Sequence, residues 1–256
     1  MIDQWLVTIP ELTGKKHQRR VYAYVPNLAS SDPQARFPVL YMFDGHNVFF
    51  DEDATYGKSW GLGRYLDAHQ VSLMVVAVEC SHEPKNGRLS EYAPFSFTAP
   101  QIGRVYGRGQ KTMNWFIRTL KPDIDARYPT LPQRECTFIG GSSMGGLMAL
   151  YALTAYSNVF SRAAALSPSV WTVNRRLLQL VRQTTFPAGT VLYMDSGSRE
   201  MANHPGVGAQ FAALTKLLMD KGVWVTSRIV PNGDHCEACW EEQLPFMIST
   251  LMYERY

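Results

Sequence analysis

The sequence is poor in cysteine, nearly balanced in charge and free of long apolar runs. Its four cysteines, Cys80, Cys136, Cys236 and Cys239, are unevenly spaced in 256 residues. So few cysteines do not build a disulfide scaffold in a chain of this length, and free thiols in a reducing compartment are expected. With 25 Lys and Arg against 22 Asp and Glu, the net charge of +3 lacks the basic excess that phosphate-backbone binding requires, which argues against a nucleic-acid partner.

No segment has the length or pattern of a membrane span or a secretory signal. Apolar runs stay below the ~18 residues that cross a bilayer, and the N-terminus has no basic segment followed by an apolar stretch. We therefore expect a cytoplasmic chain without a membrane partner, and the sequence leaves homo-oligomerisation open. The composition, 46% hydrophobic and 18% charged, predicts a globular protein. Because no repeat or compositional break divides the chain, one domain over residues 1–256 is expected.

Strand-length apolar runs alternate with helix-length amphipathic segments, which is typical of an α/β fold with a mostly parallel sheet. In residues 5–10 and 20–26, apolar and polar residues alternate, as they do in half-exposed edge strands. The other strand candidates are mostly apolar, like buried central strands, at residues 38–43, 73–78, 136–139, 162–166, 191–194 and 223–230. Helices are predicted at about residues 111–128, 145–156, 173–183, 206–221 and 237 to the C-terminus.

Residues 81–109 form a long stretch without a clean period. Pro84, Pro94 and Pro100 interrupt it, so it is predicted to be an irregular loop. A loop of this length inside a compact domain is usually functional, often as the wall or lid of a site. Within it, Arg88 and Glu91 are predicted to form an internal ion pair that braces the loop.

The strongest chemical signal is the motif GSSMG at residues 141–145. It lies directly between an apolar strand and a predicted helix. A G-x-S-x-G strand-to-helix turn is a nucleophile elbow, in which small flanking residues hold a serine in a strained, exposed conformation. Ser143 is therefore the candidate nucleophile, against the alternative of a Gly/Ser-rich turn without chemistry.

A serine hydroxyl needs a base, and in this type of fold the acid and then the histidine follow the serine along the chain. Two histidines follow Ser143. His235 lies in the loop after the apolar run 223–230, where the catalytic histidine of such a fold belongs. His204 precedes a predicted helix and is better explained as a surface or capping residue. We predict His235 as the base.

Three carboxylates compete for the role of orienting the histidine. Asp195 ends the strand 191–194, and Glu200 lies beyond the turn at Gly197, from which a side chain can return toward the histidine loop. We predict Glu200, with Asp195 as a turn residue that bonds backbone N–H groups. Asp234 ranks third because neighbouring residues in an extended segment point apart.

The developing oxyanion needs two preorganised donors. One is predicted to be the backbone N–H of Met144, which follows the nucleophile at a helix N-terminus. The other is predicted to be the N–H of His46, in the loop after the early strand 38–43, where Gly45 permits close backbone approach.

Five segments together resemble the esterase D-like family of α/β-hydrolases, which includes feruloyl esterases, S-formylglutathione hydrolases, enterochelin esterases and mycolyltransferases. The match is to the family and spans most of the chain in the expected order. The segments are VLYMFDGHNVF (39–49), RLSEYAP (88–94), GGSSMGG (140–146), LSPSVW (166–171) and GDH (233–235), the last with Trp240 and the Leu-Pro pair at 244–245.

The resemblance implies an α/β-hydrolase fold, with a mostly parallel central sheet flanked by helices and no separate cap domain. It implies Ser143 as nucleophile, His235 as base, Glu200 as acid and the N–H of His46 as an oxyanion donor, with no cofactor. One departure is that relatives often carry Asp at the position of Glu200, and some enterochelin esterases use a Ser–His dyad. The implied function is a serine carboxylesterase for small or aromatic acyl esters, including hydroxycinnamoyl esters.

Three alternatives stay open at this point. The same site could transfer an acyl group to an alcohol, it could open a siderophore lactone, or the fold could serve as a catalytically silent binding protein. The pair Cys236 and Cys239 has metal-ligand spacing, but a second ligand pair is missing and no metal is predicted. Aromatic residues in or beside loops near the expected catalytic face are candidate substrate contacts: Trp171, the strongest, with Trp60, Trp240 and Tyr106.

Overall fold

The computed structural model describes residues 1–13, 17–84, 86–203 and 206–253. An eight-stranded sheet with the order β1-β2-β4-β3-β7-β8-β9-β10 forms its centre, and β5 and β6 form a separate hairpin. β1 and β2 pair antiparallel, as do β2 and β4, and the remaining neighbours in the sheet are parallel. The strands are β1 (Ile2–Thr8), β2 (Gln18–Tyr24), β3 (Val39–Phe43), β4 (Met74–Val78), β5 (Phe97–Ala99), β6 (Gly103–Val105), β7 (Thr137–Ser142), β8 (Arg162–Leu166), β9 (Val191–Gly197) and β10 (Trp224–Val230).

Helices cover both faces of the sheet. The ranges are α1 (Pro10–Thr13), α2 (Leu28–Ser31), α3 (Leu62–Ala68), α4 (Gly87–Glu91), α5 (Gly109–Trp115), α6 (Lys121–Arg127), α7 (Met144–Ala155), α8 (Asn174–Gln183), α9 (Ser198–Asn203), α10 (Val207–Asp220), α11 (Glu237–Glu242) and α12 (Leu244–Leu251). The predicted helix at 111–128 is α5 and α6 joined by a π-helical turn, Phe116–Leu120. No helix among the described residues is long and apolar enough to span a membrane.

Two hydrophobic cores form because the central strands are apolar on both faces. Along β3, Tyr41 and Phe43 pack into the core beneath α7, whereas Leu40 and Met42 pack into the core on the opposite face, with α3 and α12. Alternate side chains of a strand point to opposite faces, so a strand covered by helices on both sides must be apolar throughout. The α/β fold with a mostly parallel sheet is confirmed.

Two predictions about strand position are wrong. β2 was expected at an edge, but it lies between β1 and β4 and is almost entirely buried. β10 was expected at the centre, but it ends the sheet, and its side chains before Val230 are exposed or half-buried. Apolar content reports how far a strand is covered by helices, so it does not by itself give the place of a strand in the sheet.

The segment 81–109 is more regular than expected. It contains α4 and the β5–β6 hairpin, in which Phe97 pairs with Val105 and Ala99 with Gly103. Because α4 has five residues and each hairpin strand has three, neither produces a period long enough to recognise in the sequence. The segment lies at the carboxyl end of the sheet, where loops of parallel α/β proteins build sites.

Candidate active site

Ser143 occupies the sharp turn between β7 and α7. Its backbone has φ 58° and ψ −121°, a strained conformation for a residue with a side chain. The turn can form because glycines stand two positions before and two positions after Ser143: a Cβ on Gly141 would lie 2.8 Å from the backbone of Gly145. Ser143 N–H donates to Leu166 O at 2.9 Å, which ties the turn to β8. The nucleophile-elbow geometry predicted from GSSMG is present.

His235 and Glu200 meet at the carboxyl ends of β9 and β10. His235 Nδ1 lies 2.6 Å from Glu200 Oε2. The two loops can approach because both carry glycine: a Cβ on Gly197 would lie 2.2 Å from Gly233 O. The arrangement matches a carboxylate that fixes an imidazole in the tautomer with its Nδ1 protonated.

Glu200 is held in its ionised form. Although burial opposes ionisation, hydrogen bonds from His235, Ser167 and the backbone N–H of Gly197 lower the pKa of Glu200 below its usual value. Ser167 Oγ donates to Glu200 Oε1 at 2.6 Å, and Gly197 N–H donates to the same oxygen at 2.9 Å. Both carboxylate oxygens are therefore occupied, which fixes the side chain.

The other two candidate acids have different partners. Asp195 accepts hydrogen bonds from Tyr193 Oη at 2.8 Å and from Ser167 N–H at 3.1 Å. It is 1% exposed, and burial raises the pKa of Asp195 to about 7. Asp234 is exposed and pairs with Arg199 at 2.8 Å. His204, the alternative base, lies outside the described residues.

Three contacts around the site were not foreseen. Ser167 links the acid to the core, because it donates to Glu200 and accepts from Trp240 Nε1 at 3.0 Å. Ser169 Oγ lies 3.4 Å from Ser143 Oγ. The sequence did contain a signal: both serines follow β8, and polar residues after a parallel strand fall at the edge where ligands bind.

The predicted oxyanion donors stand at two helix starts. Met144 is the first residue of α7. The first backbone hydrogen bond of this helix runs from Leu147 N–H to Ser143 O at 3.0 Å. His46 lies in a 3₁₀ turn, Gly45–Asn47, whose first bond runs from Asn47 N–H to Asp44 O at 2.9 Å. The N–H groups of Met144 and His46 therefore precede the intrahelical bonds and have no acceptor within their helices.

Arg88 fixes the loop that carries His46. Its guanidinium donates to both oxygens of Asp44 at 2.7 Å, and Asp44 has a left-handed backbone with φ 56°. Although burial opposes ionisation, the charge and hydrogen bonds of Arg88 lower the pKa of Asp44. The predicted ion pair between Arg88 and Glu91 is wrong, because Glu91 instead forms a buried pair with Arg19 of β2. The ion pairs Arg88–Asp44 and Glu91–Arg19 therefore hold α4 at two separate points, one at the loop after β3 and one at β2.

A pocket of about 370 Å³ lies over Ser143, Glu200 and His235. The segment 81–109 forms part of its wall, as predicted for a lid. Apolar side chains line one side, contributed by Phe97, Ile102 and Trp171. Trp171 is 48% exposed and meets Phe97 edge to face at 6.4 Å between ring centroids.

The other three aromatic candidates have different surroundings. Trp60 is 2% exposed and packs against Trp240 in the core. The prediction that Trp60 contacts the substrate is therefore wrong. Tyr106 is 68% exposed at the end of β6 and is absent from the residues that line the pocket. Trp240 is buried, and its ring lies 5.1 Å from that of His235. The Trp240 ring therefore packs edge to face against the imidazole ring of His235.

A second pocket of about 310 Å³ lies on the other side of Ser143, also lined by His235. His46, Cys80 and His82 form one wall of it, and Glu237 and Trp240 form another. Burial lowers the pKa of His46. Burial, followed by the charge of Asp44, raises the pKa of Cys80. Cys80, Cys236 and Cys239 are free thiols.

The fold and this site define an α/β-hydrolase. The chain belongs to the family described as "Putative esterase", whose profile matches residues 14–251. As a member of that family with hydrolases as structural neighbours, it is a carboxylic ester hydrolase.

Individual relatives are distant. An uncharacterized protein, YbbA of Bacillus subtilis (strain 168), is 24% identical over 189 residues, which cover 73% of this chain and 70% of the relative. The enterobactin and salmochelin hydrolase IroE superimposes with a TM-score of 0.70 at 22% identity, covering 98% of this chain and 93% of that one. A ferulic acid esterase has a TM-score of 0.68 at 16% identity, covering 98% and 97%. These likenesses support the fold.

Proposed function

We propose that Ser143, His235 and Glu200 form a catalytic triad that hydrolyses carboxylic esters through an acyl-enzyme. The observation that carries this proposal is the 2.6 Å contact between His235 Nδ1 and Glu200 Oε2. Ser143, in its strained elbow, lines the same pocket as this pair. Nucleophile, base and orienting acid then act together, as ester hydrolysis requires.

The residues have separate roles in the proposed reaction. His235 Nε2 takes the proton of Ser143 Oγ as the oxygen attacks the ester carbonyl carbon, and the carbonyl oxygen becomes an oxyanion. The N–H groups of Met144 and His46 stabilise that charge. His235 then protonates the departing alcohol. A water molecule, deprotonated by the same histidine, attacks the acyl-enzyme; the bond to Ser143 Oγ breaks, His235 returns the proton to that oxygen, and the acid is released.

The pocket favours an acyl group that is small or aromatic. Phe97, Ile102 and Trp171 offer apolar surface beside Ser143, and a pocket of about 370 Å³ is of the size that binds small molecules. Arg88, a cation in the lining, is already paired with Asp44, so a strongly anionic siderophore finds no unpaired guanidinium there. Of the activities named for the structural neighbours, hydrolysis of hydroxycinnamoyl-type esters therefore fits this pocket better than that of a siderophore lactone.

The mechanism is tested with the variant Ser143→Ala. It should abolish hydrolysis of a chromogenic short-chain ester and labelling by a fluorophosphonate probe, because both need the serine oxygen. Ser249→Ala, an exposed serine of α12, serves as the control and should behave as wild type. Near-normal turnover by Ser143→Ala would overturn the mechanism, and absence of labelling in the wild type would favour a silent binding protein.

The substrate class is tested by comparing acetyl, butyryl, feruloyl and enterochelin-type esters under one set of conditions. The highest kcat/KM is expected for the feruloyl or a short acyl ester. A preference for the enterochelin-type ester would contradict the proposed substrate class while leaving the triad intact. Repeating the assay with an added alcohol detects acyl transfer as a new ester product.

A further inference from the structure

Three side chains of metal-ligand type meet at the wall of the second pocket. His46 follows β3, whereas Cys80 and His82 follow β4. Because β3 and β4 are parallel neighbours, their carboxyl ends bring these residues to the same edge of the sheet. One ligand atom of each residue lies within 4.8 Å of the others, and the two imidazole rings are 5.2 Å apart between centroids.

His46 offers a second, independent observation that points to a ligand. The residue is 5% exposed, and its Nδ1 atom is buried without a hydrogen-bond partner among the described residues. Buried polar atoms are nearly always satisfied, so an unpaired one calls for an explanation such as an ion. The other ring nitrogen, Nε2, lies 3.0 Å from Thr55 Oγ1. An Nε2–H that donates to Thr55 leaves the lone pair on Nδ1, the arrangement by which a histidine ligand is oriented.

We propose that His46 Nδ1, Cys80 Sγ and an imidazole nitrogen of His82 bind one divalent cation of the Zn²⁺ class. Imidazole and thiolate are ligands that zinc prefers, and three protein ligands leave a fourth position open toward the pocket. Binding requires the Cys80 thiol to lose its proton to solvent, since the thiolate is the ligand. Because Cys80 is 3% exposed and His82 is exposed, the ion would enter from the pocket side.

This cluster differs from the Cys236 and Cys239 pair noted in the sequence. Among the described residues, His46, Cys80 and His82 are the only group of three such side chains close enough to share an ion. The proposal also stands apart from the ester hydrolase activity, because its test measures the metal itself.

Zinc binding to the purified full chain provides the first test. After chelator treatment and dialysis against Zn²⁺, elemental analysis should find one zinc per chain. His82→Ala should weaken zinc binding by about tenfold or more, since a ligand matters at least as much as the outer partners that tune it. Two variants serve as matched controls: His69→Ala, at another exposed histidine, and Cys236→Ser, at another free cysteine. Both should retain one zinc per chain.

Cobalt substitution provides the second test. Co²⁺ in the wild type should give a thiolate-to-metal charge-transfer band, and Cys80→Ser should lose it. Because Cys80 is buried, that variant could fail to fold; His82→Ala, at an exposed position, keeps the test decisive. The proposal is overturned if the wild type retains no zinc, if His82→Ala binds as tightly as the wild type, or if zinc is lost in Cys236→Ser instead.

Discussion

Glu200 Oε2 lies 2.6 Å from His235 Nδ1, although the two residues are 35 positions apart. Glu200 is largely buried and fully hydrogen-bonded, whereas the histidine side chain is 43% exposed. The buried partner therefore fixes the tautomer and orientation of the exposed one. The exposed histidine side chain borders the pocket beside Ser143.

Replacing Glu200 by Gln should lower kcat/KM for a chromogenic ester by about 10³- to 10⁴-fold, because an amide cannot stabilise the imidazolium and favours the wrong tautomer. Glu200→Asp should recover part of the activity, since it restores a carboxylate. Steady-state kinetics on folded protein, checked by circular dichroism, measures both.

Asp234→Asn is the matched control for Glu200→Gln. Asp234 neighbours the histidine in sequence, but its side chain is exposed and pairs with Arg199. Its kcat/KM should stay close to that of the wild type. A Gln variant of Glu200 that keeps activity within about tenfold of wild type would instead indicate a Ser–His dyad.

Asp195 should make stability depend on pH. Burial raises the pKa of Asp195 from 3.8 to about 7, so the fold favours the protonated acid. This contribution is fully present below pH 4 and is lost as pH rises through about 7, with a total on the order of a few kcal/mol. The free energy of unfolding of the wild type should therefore fall relative to that of Asp195→Asn between pH 4 and pH 7.

Urea denaturation at several pH values measures this difference. Asp220→Asn, at an exposed carboxylate paired with Lys216, should parallel the wild type across the same range. A constant difference between the wild type and Asp195→Asn would show that Asp195 titrates near its ordinary pKa in the folded protein.

Gly197→Ala should destabilise the protein by more than about 2 kcal/mol, because the new methyl group would lie 2.2 Å from Gly233 O. The displacement would also part the acid loop from the histidine loop and lower kcat. Gly208→Ala is the control: its Cβ would meet only Met201 Sδ at 3.6 Å inside α10, and it should be neutral or slightly stabilising. Urea midpoints that change equally in both variants would contradict this explanation.

Trp171→Ala should reduce kcat/KM for a feruloyl ester by about 10- to 100-fold, while activity on an acetyl ester changes by about threefold or less, since only the larger acyl group reaches the ring. Tyr106→Ala, at an exposed aromatic away from the pocket lining, should leave both substrates unaffected. An equal loss on both esters would place Trp171 in support of the fold instead of the acyl group.

Features that depend on neighbouring residues were predictable from the sequence. The elbow at Ser143 needs only small residues on both sides of a strand-to-helix turn, and the sequence GSSMG displays them. The apolar stretches that became β3, β7 and β8 were visible because a strand buried on both faces must be apolar throughout. The position of His235 after a strand, another local property, predicts its place in the site.

Features that depend on distant residues were decided by the tertiary structure. Arg88 could have paired with Glu91, three positions away, yet it pairs with Asp44, 44 positions away, because α4 packs over the end of β3. Trp60 resembles Trp171 in its sequence surroundings, but only packing places one in the core and the other at the pocket.

The sequence by itself thus determined the parallel sheet, the elbow and the order of serine, acid and histidine, because these follow from residue type and local period. The tertiary structure alone decided which of Asp195, Glu200 and Asp234 contacts His235. Carboxylates a few positions apart are chemically alike in the sequence. Only the close approach of two glycine loops places one of them against the imidazole.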